Sequence, residues 1–149
     1  MKKTITCICL YLFCTLTFLA QEKKESREKI RALKIAYITE QLNLNSSEAE
    51  KFWPIYNVYD KNQHVLRNEL RSNLKNEIST DGIDAISEKK AEALINLKLK
   101  IYKKIYQSDE DFLSKIKKVI SYKKILKLQI AEMEFGRKLM RRYKGKRKK

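Results

Sequence analysis

The residues of this chain that bear on chemistry are few: one histidine, three cysteines and one run of three carboxylates. His64 stands alone, so no His-rich metal site can be assembled. It reads as a polar surface residue between Gln63 and Val65. A soft metal site built from His64, Met133 and Met140 is the one ligand set that can be written down. Methionines at helical spacing, however, are far more often packing residues than ligands. Asp109, Glu110 and Asp111 are consecutive, and consecutive helix positions point in different directions. They read as a solvated face. With only three glycines there is no phosphate-cradling loop. No enzyme activity, metal or cofactor is expected.

Two other groups of residues suit binding. Phe52, Trp53, Tyr56 and Tyr59 fall within eight residues, around Pro54. They form either a helix-packing cluster or an exposed face that receives unfolded or partner chains by area and shape. The second group is basic. The formal net charge is +16, and residues 116–149 hold 14 basic and 2 acidic side chains. Arg137, Lys138, Arg141 and Arg142 lie in this stretch, which ends Tyr143-Lys144-Gly145-Lys146-Arg147-Lys148-Lys149. The bland reading is a solvated, self-repelling tail. The functional one is a contact for acidic protein segments, anionic lipid or lipopolysaccharide.

The chain start bears on which polyanion is available. Met1-Lys2-Lys3 precedes sixteen uncharged residues, 4–19, and Ala20-Gln21 leads into Glu22-Lys23-Lys24-Glu25. This is the pattern of a secretory signal peptide, 1–20, with cleavage near Ala20. An uncleaved anchor is the alternative, since Phe18 stands where a small residue is usual. Cys7, Cys9 and Cys14 all lie inside this segment, so the mature chain would have no thiol chemistry. A periplasmic location follows, and with it no nucleic-acid partner.

The elements that must position these groups read as four helices. One proline and three glycines are too few turn-formers for a many-stranded fold. Segment one is about 24–42, with Ile30, Leu33, Tyr37 and Ile38 at helical spacing. Segment two starts at Asn45, whose side-chain oxygen can cap a helix, with Glu48 at capping-box spacing. Phe52, Tyr56, Tyr59, Gln63, Leu66, Leu70 and Leu74 then carry one stripe to about Ile78. Pro54 removes one backbone donor inside this helix, and a kink is expected there. Thr80-Asp81-Gly82 breaks the pattern, and Ser87 caps segment three, about 87–119. Its main face is Leu94, Ile101, Ile105, Phe112, Ile116 and Val119. Ile95, Leu99, Tyr102 and Tyr106 lie beside that face and broaden it. Ser121 can cap segment four, about 122–143, with Ile125, Leu126, Ile130, Met133, Leu139 and Met140 on its apolar side. Residues 21–143 read as a single helical domain and 144–149 as a basic tail. A thirty-residue helix spans roughly 45 Å. Helices of that length in so short a chain make a thin, elongated antiparallel hairpin array. Such arrays complete their burial by dimerising or by holding a partner.

From Leu42 to Tyr56 the chain reads Leu-Asn-Leu-Asn-Ser-Ser-Glu-Ala-Glu-Lys-Phe-Trp-Pro-Ile-Tyr. This stretch resembles the Spy/CpxP-like periplasmic proteins, in particular the Bacteroidetes branch labelled "sensor of ECF-type sigma factor". The family motif Leu-Thr-x-x-Gln falls on Leu44, Asn45, Ser46, Ser47 and Glu48. Asn and Glu here replace Thr and Gln. The Phe-Trp-Pro-Ile-Tyr run is the more specific match. A second similarity is the basic helix from Lys123 through Phe135 to Arg142. The resemblance implies an all-α, dimeric, non-enzymatic envelope-stress protein that cradles unfolded clients or restrains a signalling partner. Metal-sensing relatives use His, Glu and Met ligands, and this chain has one His. The expected partners are therefore unfolded or envelope signalling proteins, with a homodimer and an anionic lipid surface as further contacts. The residues expected to bind are Phe52, Trp53, Tyr56, Tyr59, Arg137, Lys138, Arg141 and Arg142.

Overall fold

The computed structural model describes residues 25, 27–78 and 82–146, and all the regular structure among them is helical. The expected export segment 1–20 and the last three residues of the basic tail lie outside this range. Helix α1 covers 27–42, α2 is Ser46–Ile78, α3 is Glu88–Ile116 and α4 is Tyr122–Lys146. A 3-10 turn, Ile83–Ala85, precedes α3. Among the described residues, no helix is long and apolar enough to cross a membrane.

Local chemistry sets most of these boundaries. Helix α1 ends where Asn43 takes a left-handed conformation, φ 46°, and donates its N–H to the Glu40 carbonyl at 3.0 Å. Asparagine tolerates that region better than most side chains and serves as a helix terminator there. Helix α2 opens with a reciprocal cap. Asn45 Oδ1 accepts from the Glu48 N–H at 2.9 Å, and the Glu48 carboxylate accepts from the Asn45 N–H at 3.0 Å. Two donors that the helix leaves without partners are thereby satisfied. The helix continues unbroken through Pro54, which has no N–H for the Glu50 carbonyl. Gly82, at φ 80°, precedes the 3-10 turn in a positive-φ conformation that glycine adopts at no steric cost. Ser87 caps α3 by accepting from the Lys90 N–H, and Ser121 does the same for α4 through the Lys124 N–H. Helix α4 runs on through Lys144 to Lys146, beyond its last regular apolar position.

The chain divides into two compact units, 1–43 with 127–149, and 44–126. In the second unit α2 and α3 lie side by side and run in opposite directions. Tyr59 meets Asp109, Gln63 meets Ile105, and Glu77 meets Lys90, so position along one helix falls as position along the other rises. Phe52, Tyr56 and Leu66 of α2 and Leu94, Ile101, Phe112 and Ile116 of α3 are buried. Burying a large apolar side chain is worth about 1.5–3 kcal/mol, so these positions dominate the stability of the pair. Among the described residues, Ser108 and Gln63 are the buried polar ones, and neither is left unsatisfied. Gln63 Nε2 donates to Asp109 Oδ1 at 2.9 Å and its Oε1 accepts from Arg67, while Ser108 Oγ accepts from Asn62 at 3.1 Å.

In the first unit Ile38 and Leu42 of α1, and Leu128 and Ala131 of α4, are buried. Tyr37 connects the two helices. Its hydroxyl donates to Glu134 at 2.7 Å and its ring lies 5.9 Å from that of Phe135. Lys34 and Glu132 form an ion pair beside it at 3.7 Å.

Candidate functional site

The aromatic cluster of α2 is mostly internal. Phe52 and Tyr56 are buried and stacked, with ring centres 5.4 Å apart and planes 13° from parallel. Trp53 is half-buried and meets both rings edge-on, at 5.0 and 5.5 Å. Tyr59 stacks on Phe112 of α3 at 4.1 Å and donates its hydroxyl to Asp109 at 2.8 Å. An exposed receiving face built from these four residues is therefore not what the structure presents. Phe52 and Tyr56 have no area left to offer a partner. The reason lies in the stripe itself: positions 52, 56, 63 and 66 all turn inward, and 59 reaches across to α3.

Exposed apolar area lies elsewhere. On α3, Ile95, Leu99, Tyr102 and Tyr106 follow each other at spacings of four, three and four, and are 49% to 62% exposed. They are the residues that the sequence places beside the main face. The opposing helix covers only the Leu94, Ile101, Phe112 and Ile116 side. Lysines are interleaved with the stripe: the Lys98 ammonium sits 5.5 Å from the centre of the Tyr102 ring. Glu110 accepts from the Tyr106 hydroxyl, and this bond and the carboxylate's charge hold the phenol above its usual range. Beside α2 and α3 a cleft of about 670 Å³ opens between Pro54, Val58 and Val65 on one wall and Ser108 and Phe112 on the other. On α4, Leu126, Ile130, Met133 and Met140 are exposed, while Ile125, which the sequence also places on the apolar side, is buried together with Leu128 and Ala131. Four of the six residues that make the apolar side of this helix in sequence thus face solvent.

The cap at the start of α2 gains a third partner. The Lys124 ammonium reaches the Glu48 carboxylate at 2.5 Å. That bond first, and the Asn45 N–H second, hold the Glu48 carboxyl below its ordinary value. Leu44, just before the cap, is half-buried.

The four basic residues of α4 expected to bind divide into two groups. Arg137, Lys138, Arg141 and Arg142 are all exposed. Lys138, Arg141 and Arg142 stand around a cleft of about 370 Å³ whose apolar walls are Leu33, Tyr37, Phe135 and Leu139. The Lys138 ammonium is 4.3 Å from the centre of the Tyr37 ring, within cation–π range. Arg137 is not part of this cleft. Tyr37, which lines this cleft, and Glu134, which accepts its hydroxyl, are residues that the sequence does not single out. Tyr37 reads there as one more apolar position of its helix. The available signal is the pair Glu134 and Lys138, four apart on one face of a basic helix.

The remaining polar groups do not converge. His64 is exposed, with Nε2 3.8 Å from Asp60 Oδ1. Asp109 turns toward Tyr59 and Gln63, Glu110 toward Tyr106, and Asp111 toward the larger cleft. Among the described residues no group of three or more His, Cys, Asp or Glu side chains is placed to hold a metal ion. What the geometry offers is surface: apolar stripes with interleaved lysines and one cation-rimmed cleft. No family model, curated protein or solved structure matches this chain.

Proposed function

We propose that this chain is an exported, all-helical envelope-stress accessory protein. It holds unfolded or partner protein segments without ATP, in the manner of the Spy/CpxP-like proteins that its Leu42–Tyr56 stretch resembles. The observation that carries the reading is the exposed stripe Ile95, Leu99, Tyr102 and Tyr106 on α3. A run of large apolar residues kept in water on one helix face is a contact surface, because its area is released from water only when something covers it. Lys98, Lys100, Lys103 and Lys104 are interleaved with it and favour acidic client segments. Electrostatic attraction raises the capture rate, and apolar contact governs retention. In this reading the helices form an elongated antiparallel hairpin array, and a second copy of the chain covers part of the apolar surface. The protein then acts as a holdase or as a signalling modulator in an ECF-type sigma factor system.

The test is light scattering by a chemically unfolded client, with purified 21–149 at low and high salt. Suppression near stoichiometric amounts, with slower capture at high salt, is the expected result. Scattering unchanged by the protein at every salt concentration contradicts the reading.

One observation favours a second reading. Lys138, Arg141 and Arg142 crowd one stretch of α4 and are all exposed. An adaptor that docks on anionic lipid or lipopolysaccharide would use such a cluster, at about 1 kcal/mol for each basic residue near the surface. Deleting 141–149 would then abolish vesicle binding and leave client binding intact.

A further inference from the structure

We infer that the cleft walled by Leu33, Tyr37, Phe135 and Leu139 binds one dissolved amphipathic anion, an alkyl or acyl chain ending in a phosphate or carboxylate. Three observations lead there. The first is size. At about 370 Å³ the cleft lies at the low end of the range for small-molecule sites, roughly 300–1,000 Å³. It suits a single chain rather than a helix or a folded partner.

The second is the separation of polarity within the cleft. Its walls are aromatic and aliphatic, and Leu33 remains 47% exposed in a position that an apolar ligand would cover. Its rim carries three cations, Lys138, Arg141 and Arg142. Among the described residues, no salt bridge engages any of the three. The nearby carboxylate, Glu134, accepts the Tyr37 hydroxyl and keeps its single negative charge, which the three cations outnumber. A neutral lipid would leave the cations without partners, and a bare phosphate would leave the walls wet. An amphipathic anion satisfies both.

The third is chemical type. Arginine presents a planar fork of donors that matches the two oxygens of a carboxylate or phosphate, and adjacent Arg141 and Arg142 supply two forks. The negative end of the α4 dipole lies near the same place. Its effect falls off within the last turn, and the three full positive charges outweigh a partial charge of about half a unit. Lys138, held over the Tyr37 ring, lies where chain and head group would meet.

The inference shares these cations with the lipid-docking alternative but not its premise, because it requires a free amphiphile and no bilayer. Calorimetric titration of the purified protein with decyl phosphate below its micelle concentration tests it. Decanol, inorganic phosphate and anionic vesicles serve as separate arms. Saturable one-to-one binding of decyl phosphate is expected, with decanol and inorganic phosphate each at least about tenfold weaker. Arg141→Gln with Arg142→Gln should weaken decyl phosphate about tenfold or more and leave the thermal midpoint unchanged. Leu33→Ser, at an exposed position, should weaken it while leaving the response to inorganic phosphate as it was. Binding of decanol as tight as decyl phosphate, binding of inorganic phosphate as tight, or no effect of the arginine pair would overturn the inference. So would binding confined to vesicles, a result that would instead support surface docking. Vesicle binding absent while decyl phosphate binds would uphold the inference and remove the docking alternative.

Discussion

Tyr56 and Tyr37 show how the two units use the same kind of side chain differently. In the second unit, Tyr56 is sealed among Phe52, Trp53, Tyr59 and Phe112, and the flanking polar groups Gln63, Asn62 and Ser108 are tied across α2 and α3. In the first unit, Tyr37 touches one ring, one carboxylate and one ammonium, and its neighbour Leu33 stays in water. An aromatic residue becomes structure where a long partner helix runs beside it. Where the packing is thinner, the same residue type becomes the wall of a cleft. The charge follows the same division. Residues 21–115 hold 18 basic and 16 acidic side chains, close to balance, while 116–149 are strongly basic. Aromatic content alone therefore does not tell which apolar side chains stay open to solvent. Coverage does.

The largest effect should come from the sealed cluster. Phe52→Ala is expected to cost about 3–5 kcal/mol in urea unfolding, through lost burial and the cavity left behind. Tyr37→Ala should cost clearly less, since its ring is only partly covered. Equal costs would erase the contrast between the two units. Next comes the polar tie. Gln63→Ala removes the partner of Asp109 and Arg67 at a buried position, and about 1–3 kcal/mol is expected by the same measurement. A smaller loss, about 0.5–2 kcal/mol, is expected for Asn45→Ala, which deletes half of the reciprocal cap.

The cap also sets a pH dependence. The Glu48 carboxyl is held below its ordinary value, near 4.5, by Lys124 and then by the Asn45 N–H. The unfolded chain therefore binds the proton more readily than the folded one. The stabilisation is fully present above the unfolded value and is lost as pH falls through the lower folded value. Stability against pH in the acid range should thus be flatter for Glu48→Gln than for the wild type. Identical acid profiles would show that the Lys124 contact does not persist in solution. The smallest effect is expected on α4. Replacing Arg141 and Arg142 with Gln should change stability by no more than about 0.5 kcal/mol, since both are exposed. Their loss should be felt in decyl phosphate binding instead.

Much of the fold was legible because it is local. Asn45 with Glu48, Ser87 and Ser121 are short-range capping signals, and they mark the starts of α2, α3 and α4. The inward stripe of α2 follows from one regular spacing ending at Ile78. What was not legible depends on which of two apolar faces receives a neighbour. On α3 the main face read from spacing, Leu94 to Ile116, is the covered one, but spacing did not tell that the Ile95 face beside it stays open. On α4 the buried set is Ile125, Leu128 and Ala131, and Leu126, Ile130, Met133 and Met140 are exposed. Neither Leu128 nor Ala131 stands out in the sequence pattern, and Ala131 is buried although a single methyl contributes little to any pattern. The cleft near Tyr37 was out of reach for the same reason, since its walls come from segments about a hundred residues apart in sequence.

The most direct test of the central claim, that the uncovered face of α3 does the holding, is a triple substitution at exposed positions. Leu99→Ser, Tyr102→Ser and Tyr106→Ser should leave α-helical content essentially unchanged, because the opposing helix covers the other side. Light scattering by an unfolded client should then rise to the level seen without the protein. A triple variant that is folded and still suppresses scattering as well as the wild type would contradict the account.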